Sequence, residues 1–149
     1  MKKSQRIKTL VELKAEQEKN ALKGLGISQR KLTEIETQVE NLKNYRREYQ
    51  ESFNQLSREG VKITQVMEFK SFIDKLDQAI AGQETMLHLC REELLQKRQS
   101  WENLHYKTSS LQKVLDSTIA LETQLKNRKE QSEMDERASR LGKNSENGL

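Results

Sequence analysis

The residues whose side chains could do chemistry are few and widely spaced. His88 and Cys90 lie two positions apart, and no second pair accompanies them, as a zinc site would require. Cys90 is the single cysteine, and its place in the apolar pattern is one where a small buried thiol is ordinary. His105 lies beside Tyr106 in a charged stretch, where we expect a surface histidine rather than a base. We therefore predict no catalytic site, no metal and no cofactor.

The sequence also lacks a phosphate-binding loop and a pair of cysteines for a disulfide. The glycine-rich phosphate loop, G-x-x-x-x-G-K-[ST], does not occur. One cysteine cannot form a disulfide within the chain, which fits a reducing compartment. A nucleophile also needs a base and an orienting group in a cleft. A pair of long helices provides no cleft, so we do not expect an enzyme.

The composition favours an elongated all-α protein. The 149 residues include no proline, 34% charged residues and 33% hydrophobic residues, a hydrophobic share below that of most globular domains. Without proline, no residue is barred from a helix interior. Leu, Lys, Glu, Gln and Arg dominate, and these are good helix formers.

Charge and hydropathy indicate where in the cell the protein is expected. The net charge is +4, from 27 basic and 23 acidic residues, and opposite signs alternate along the chain as on a solvated coiled-coil surface. Such an even distribution is weak evidence for binding nucleic acid or lipid. No segment has the apolar run of a signal peptide or a membrane span. We expect a protein that is cytoplasmic, or peripheral at the cytoplasmic face of the cell membrane, without direct membrane insertion.

Apolar residues recur at alternating steps of three and four in both halves of the chain. One row runs from Ile7 to Leu56 and another from Phe69 to Leu125, which is the a/d seam of a coiled coil. Between them, Gly60 can take the left-handed conformation that closes a helix. Thr64 is predicted to cap the next helix. Because the connection is short, the two helices should be antiparallel neighbours.

The predicted fold is all-α, with two long helices forming an antiparallel coiled-coil hairpin over residues 1–141. Helix 1 is expected at about 4–58, the turn at about 59–64, and the longer helix 2 at about 65–140. The remaining residues, 142–149, are predicted to be a disordered tail.

The turn also sets the pairing register. If positions 56 and 66 face each other, the start of helix 1 lies near residue 119. Helix 2 after about residue 120 then has no partner helix, and a lone polar helix is marginal in water.

Two lines of residues beside the seam form a candidate contact surface. Tyr45 and Phe72 occupy flanking g positions at the same height in this register. An apolar surface wider than a hairpin needs marks a contact, although the rings could also fold over the seam edge. We call the eight residues the flanking stripe: Gln38, Leu42, Tyr45 and Tyr49 on helix 1, and Phe72, Leu76, Ala79 and Gln83 on helix 2.

Four segments resemble the FliJ family of the bacterial flagellar type III export apparatus. They are LKNYRREY at 42–49, FKSFIDKLDQAI at 69–80, QKRQSWENL at 96–104 and EQSEMDERASR at 130–140. Together with the length and the single turn near residue 60, they extend the resemblance over nearly the whole chain.

The resemblance implies a non-enzymatic function in export. Members of the family are antiparallel coiled coils similar to the central stalk of rotary ATPases. They associate with the flagellar export ATPase ring through their paired terminal ends, bind the cytoplasmic domain of the membrane export gate protein, and handle unloaded export chaperones. In the family, the gate contact is attributed to positions that match the flanking stripe.

Two alternatives remain open at this point. One is the equivalent stalk protein of a virulence type III injectisome, which shares the hairpin. The other is a basic coiled coil that binds nucleic acid or lipid, whose binding would weaken steeply with salt. The resemblance favours the flagellar protein and no nucleic-acid partner.

Overall fold

The structure is a computed structural model that describes residues 2–147. It contains two helices, α1 (Lys3–Arg58) and α2 (Ile63–Asn147), and no strand within the described residues. The all-α prediction is confirmed, as is the greater length of the second helix. α1 begins and ends within one residue of the expected bounds.

The turn between the helices follows the prediction at Gly60 and departs from it at Thr64. Gly60 has φ 97°, the left-handed conformation that glycine adopts without the clash of a Cβ atom. α2 begins at Ile63, so Thr64 lies inside the helix. The N-cap residue is Lys62, whose carbonyl accepts from the Gln65 amide at 3.0 Å.

Gln65 explains why Thr64 is not needed as a cap. The Lys62 N–H donates to Gln65 Oε1 at 3.0 Å, which is the side-chain half of a capping box. The orphan donor at the start of α2 is therefore satisfied by the third helical residue, and the prediction of a Thr64 cap is wrong.

The far end of α2 also differs from the prediction. The helix continues to Asn147, whereas we ended it near residue 140 and expected a disordered tail over 142–149. Gly142 is the one strong helix breaker between residues 140 and 147, and an interior glycine costs only about 1 kcal/mol relative to alanine. Gly148 and Leu149, also part of the predicted tail, lie outside the described residues.

The chain divides into two compact units, each with an α1 segment and an α2 segment. The turn unit comprises Lys19–Asn103, and the terminal unit comprises Met1–Glu18 with Leu104–Leu149. The turn unit is centred on buried Leu32, Ile35, Val39, Cys90 and Leu94. The terminal unit has a smaller core of Ile7, Val11 and Leu115, with Leu111 packed against it.

Within the turn unit the two helix segments run antiparallel. Along α1 from its N-terminal side, Lys31 pairs with Glu93 at 3.7 Å, and then Lys43 pairs with Glu84 at 2.9 Å. The partner positions on α2 therefore fall as the α1 positions rise. This is the antiparallel order that the short turn predicts, so the hairpin expectation is confirmed.

Candidate functional site

Five aromatic rings form a continuous ladder near the turn, alternating between the helices in the order Phe53, Phe69, Tyr49, Phe72, Tyr45. The ring centroids of Phe53 and Phe69 are 3.9 Å apart and nearly parallel, and Tyr49 stacks on Phe69 at 5.4 Å. Tyr49 then contacts Phe72 at 4.5 Å. Phe72 meets Tyr45 edge-on at 6.0 Å. Aromatic pairs of this kind contribute about 0.5–1.5 kcal/mol beyond their buried area.

The ladder ends in solvent at Tyr45. The Tyr45 side chain is 49% exposed, whereas Phe53, Phe69, Tyr49 and Phe72 are half-buried. From their flanking positions we expected both Tyr45 and Phe72 to face outward beside the seam. Phe72 is instead held against Tyr49, so its ring both supports the fold and borders the surface.

The structure brings the eight residues of the flanking stripe together in the turn unit. Gln38 and Ala79 are exposed, as is Tyr45. Leu42, Tyr49, Phe72 and Gln83 are half-buried, and Leu76 is buried in the seam. Leu76 therefore supports its stripe neighbours from the core side. The surface that a partner can touch is formed by the exposed members and the edges of the half-buried ones.

The opposite side of the seam carries charges. Positions e and g flank an a/d seam on its two sides. Tyr45 and Phe72 are g residues, and Lys43, Asp77 and Glu84 are e residues. We call these two sides the aromatic flank and the charged flank.

Ion pairs bridge the helices along the charged flank. Arg46 Nε lies 2.5 Å from Asp77 Oδ1, and Lys43 Nζ lies 2.9 Å from Glu84 Oε1. The hydrogen bond to Asp77, together with the attraction of its charge, raises the pKa of Arg46 above its ordinary value. Exposed pairs of this kind add little to stability. Their greater effect is to make the two flanks chemically different.

In the turn unit, the aromatic flank carries an interhelical ion pair, Lys31 with Glu93, located beyond the stripe on the side away from the turn. The four stripe residues of α1, from Gln38 to Tyr49, are themselves uncharged. An interface centre depleted of charge and rich in tyrosine is typical of protein-binding surfaces. The stripe is thus suited to a protein partner rather than to phosphate groups.

A separate feature marks the start of α1 in the terminal unit. The Ser4 N–H donates to Glu122 Oε1 at 3.2 Å, so a carboxylate on α2 satisfies one of the free donors at the α1 N-terminus. The hydrogen bonds from Ser4 hold the pKa of Glu122 below its ordinary value, and the charge of Lys2 adds to this effect. Glu122 falls at a seam position in the row from Phe69 to Leu125, and the spacing pattern by itself assigned it no role. The signal in the sequence was a carboxylate on the seam, opposite the expected start of helix 1.

α2 continues past Glu122 with every described side chain exposed, through residue 145. These include Leu125, Met134 and Leu141, which are each more than half exposed. Ser4 and Gln5 at the start of α1 line one shallow pocket with Leu125 and Lys129. The exposure of the described side chains farther along is what we expect of α2 without a partner helix. We call residues 123–147 the overhang.

The two histidines lie away from any cluster of metal ligands. His105 Nδ1 lies 2.6 Å from Glu18 Oε1 in the terminal unit, and His88 Nε2 lies 3.1 Å from Glu92 in the next helical turn. Over residues 2–147, no three His, Cys, Asp or Glu side chains are grouped to hold a metal ion. Neither helix, over the same residues, has a segment long and apolar enough to cross a membrane.

Comparison with known proteins places the chain in a family. The family model described as Flagellar FliJ protein matches residues 2–147 of the 149. A search of curated proteins and a search of solved structures gave no match. Because the family match spans nearly the whole sequence, the chain belongs to the FliJ family, whose members are non-catalytic components of flagellar type III protein export.

Proposed function

We propose that this protein links the export ATPase ring to the membrane export gate and escorts export chaperones during flagellum assembly. The observation that carries the proposal is the flanking stripe. An exposed tyrosine ring ends a ladder of packed rings, among stripe residues that carry no charge. Such a surface is more than two paired helices need for their own stability.

The gate contact is assigned to the flanking stripe, with Tyr45 at its exposed centre. Tyrosine is enriched among residues that carry binding energy, because its ring is large and rigid and its hydroxyl can still hydrogen-bond. Gln38 and Ala79 are exposed around it. The packing of Tyr49 against Phe72 fixes the Tyr45 neighbourhood before a partner arrives, which reduces the entropy lost on binding.

The contact with the ATPase ring is assigned to the terminal unit and the overhang. Glu122 fixes where α1 starts on α2. Beyond it, α2 presents exposed apolar side chains, Leu125, Met134 and Leu141, among basic and acidic residues. The two proposed contacts therefore belong to different units of the chain. One protein can then engage the ring and the gate together, and the placement at the cytoplasmic face of the membrane follows from those partners.

The test is a binding titration of the full-length chain against the purified cytoplasmic domain of the gate protein. Tyr45→Ala should weaken binding at least about tenfold, as expected for a hot-spot residue. The matched control is Tyr106→Ala, because Tyr106 is also an exposed tyrosine on a helix but lies in the terminal unit. Equal effects of the two substitutions would show that the stripe is not the contact.

Salt dependence separates this function from nucleic-acid or lipid binding. A protein that neutralises six to ten phosphates loses roughly 10³–10⁵ in affinity between 50 and 200 mM salt. A contact through the aromatic flank should lose much less over that range. A steep loss, shared by duplex DNA or anionic vesicles used as competitors, would favour the basic coiled-coil alternative.

A further inference from the structure

The outer surface of α2 continues the flanking stripe away from the turn. Phe72, Ala79 and Met86 recur every seven residues at position g, and Lys75, Gly82 and Leu89 recur every seven residues at position c. Residues spaced by three and four lie on one face of a helix. In the structure Met86 is 42% exposed and Leu89 is 52% exposed. Apolar side chains thus extend along this face beyond Gln83, where the stripe ends.

Gly82 makes a notch in this face. A Cβ atom added at Gly82 would meet nothing within 4 Å, so the packing of the chain does not require glycine there. Interior glycine costs a helix about 1 kcal/mol relative to alanine. The absence of a Cβ atom lets another chain approach the α2 backbone closely at this point.

Four residues around the notch have the spacing of a coiled-coil hole. A knob from a facing helix sits among residues at i, i+3, i+4 and i+7, which here are Ala79, Gly82, Gln83 and Met86. Ala79 and Gly82 are small, so this hole is deep enough for a large side chain. Ala79 and Gln83 already belong to the flanking stripe, and the hole is continuous with it.

The face is also depleted of charge. Between Gln78 and Cys90 the one carboxylate is Glu84, and it lies 2.9 Å from Lys43 Nζ on the charged flank. Over the whole chain, 34% of residues are charged. Because an unpaired charge is costly to bury, a partner segment covering this face must itself be uncharged and apolar where it touches.

We propose that the gate contact extends along α2 through Gly82, Met86 and Leu89. There it receives an amphipathic helix of the gate's cytoplasmic domain, whose contacting face is apolar and uncharged. A large apolar side chain of that helix enters the hole over Gly82. Leu89 lies about two turns beyond Gly82 along α2 and contacts the same helix. This extension rests on the proposed gate contact at Tyr45.

The experiment measures binding of full-length variants to the purified cytoplasmic domain of the gate protein. Gly82→Leu fills the hole, and Leu89→Glu places a charge on the face; each should weaken binding at least about tenfold. The control for the first is Gly24→Leu, since a Cβ atom at Gly24 also meets nothing within 4 Å. The control for the second is Leu95→Glu, because Leu95 is 56% exposed at position b, on another face. Both controls should bind within about twofold of the parent.

The outcomes for the extension and for the proposed function can be told apart. If Tyr45→Ala weakens binding while Gly82→Leu and Leu89→Glu bind as the parent does, the extension is wrong and the gate contact stands. If none of the three weakens binding, both are wrong.

Light scattering on the parent tests whether a second copy of the chain occupies the hole instead. A dimer that Gly82→Leu converts to a monomer would mean that a second copy of the chain covers the hole, and would overturn the extension.

Discussion

The ring of Tyr49 on α1 lies 4.5 Å, centroid to centroid, from the ring of Phe72 on α2. Tyr49 also stacks on Phe69, so these two rings join the helix pair near the turn to the exposed ring of Tyr45. One ladder of rings thus passes from a structural end at Phe53 to a surface end at Tyr45. Truncations near Phe53 should therefore mainly reduce stability, and truncations near Tyr45 should mainly reduce binding.

Truncating the two ends of the ladder should have different effects on stability. Phe53→Ala removes a ring stacked at 3.9 Å on Phe69 and should lower the melting temperature clearly, by up to the 3–5 kcal/mol cost of a core aromatic. Tyr45→Ala removes a half-exposed ring and should melt within a few degrees of the parent. Phe72→Ala should fall between them, because Phe72 is half-buried.

Thermal unfolding followed by helical circular dichroism measures these three variants. The sequence pattern predicts that Tyr45 and Phe72 both face outward, and therefore that truncating the two together leaves the melting temperature within a few degrees of the parent. The packing of Phe72 on Tyr49 predicts a lower value for Phe72→Ala. A Tyr45→Ala variant that melts as low as Phe53→Ala would make the whole ladder structural.

Two glycines in α1 should be replaceable with a gain in stability. A Cβ atom at Gly24 meets nothing within 4 Å, and one at Gly26 meets only the end of the Arg30 side chain at 4.0 Å. Gly24→Ala and Gly26→Ala should each raise the free energy of unfolding by about 0.5–1 kcal/mol. Urea titration measures the change.

Gly60→Ala is the contrasting substitution. Gly60 has φ 97°, where an L side chain is strained, so this variant should be less stable than the parent although space is open around it. A loss of stability in Gly24→Ala would show that this part of α1 requires glycine for a reason other than its packing.

The Glu122 contact predicts a pH dependence in the terminal unit. Because the folded pKa of Glu122 is lowered, this group stabilises the fold above the ordinary glutamate value of about 4.3. That contribution is lost as the pH falls through the folded value. Glu122→Gln should therefore be less stable than the parent at neutral pH, and the difference should shrink in acid.

Melting temperatures of the parent and Glu122→Gln between pH 7 and pH 3 check this expectation. Glu130→Gln serves as the control, since Glu130 is an exposed carboxylate in the overhang and its removal should not change the pH profile. A constant difference between parent and Glu122→Gln down to pH 3 would mean that the carboxylate charge is not what holds the α1 start.

The antiparallel register was predictable because it depends on spacing alone. Once the seams and Gly60 are placed, the geometry of a short turn leaves one pairing, and the Lys43–Glu84 contact agrees with it. The cap of α2 was not predictable from Thr64, because Gln65 satisfies the Lys62 N–H from inside the helix. Two polar side chains at adjacent positions, Thr64 and Gln65, cannot be ranked as caps without the backbone geometry.

The exposure of the stripe was predictable only in part, for a related reason. Heptad positions give the direction of a Cα–Cβ bond, and both Tyr45 and Phe72 occupy position g. The tilt of each ring then depends on its neighbours. Phe72 leans into the space beside Tyr49, and Tyr45, next to it, is left in solvent. The spacing pattern therefore located the surface without distinguishing its exposed ring from its supporting one.

The overhang should exchange its amide hydrogens quickly in the isolated protein. Its described side chains are all exposed, so its helical hydrogen bonds are not protected by packing, and a helix without tertiary contacts opens readily. Residues 65–95 should exchange slowly, because they include the buried Ile73, Leu76, Ile80 and Cys90. Adding the purified export ATPase should slow exchange in the overhang and in the first turns of α1. It should do so equally in Tyr45→Ala, whose altered contact belongs to the other unit. Slow exchange throughout the free protein would contradict the proposed role of the overhang, and so would ATPase protection confined to the flanking stripe.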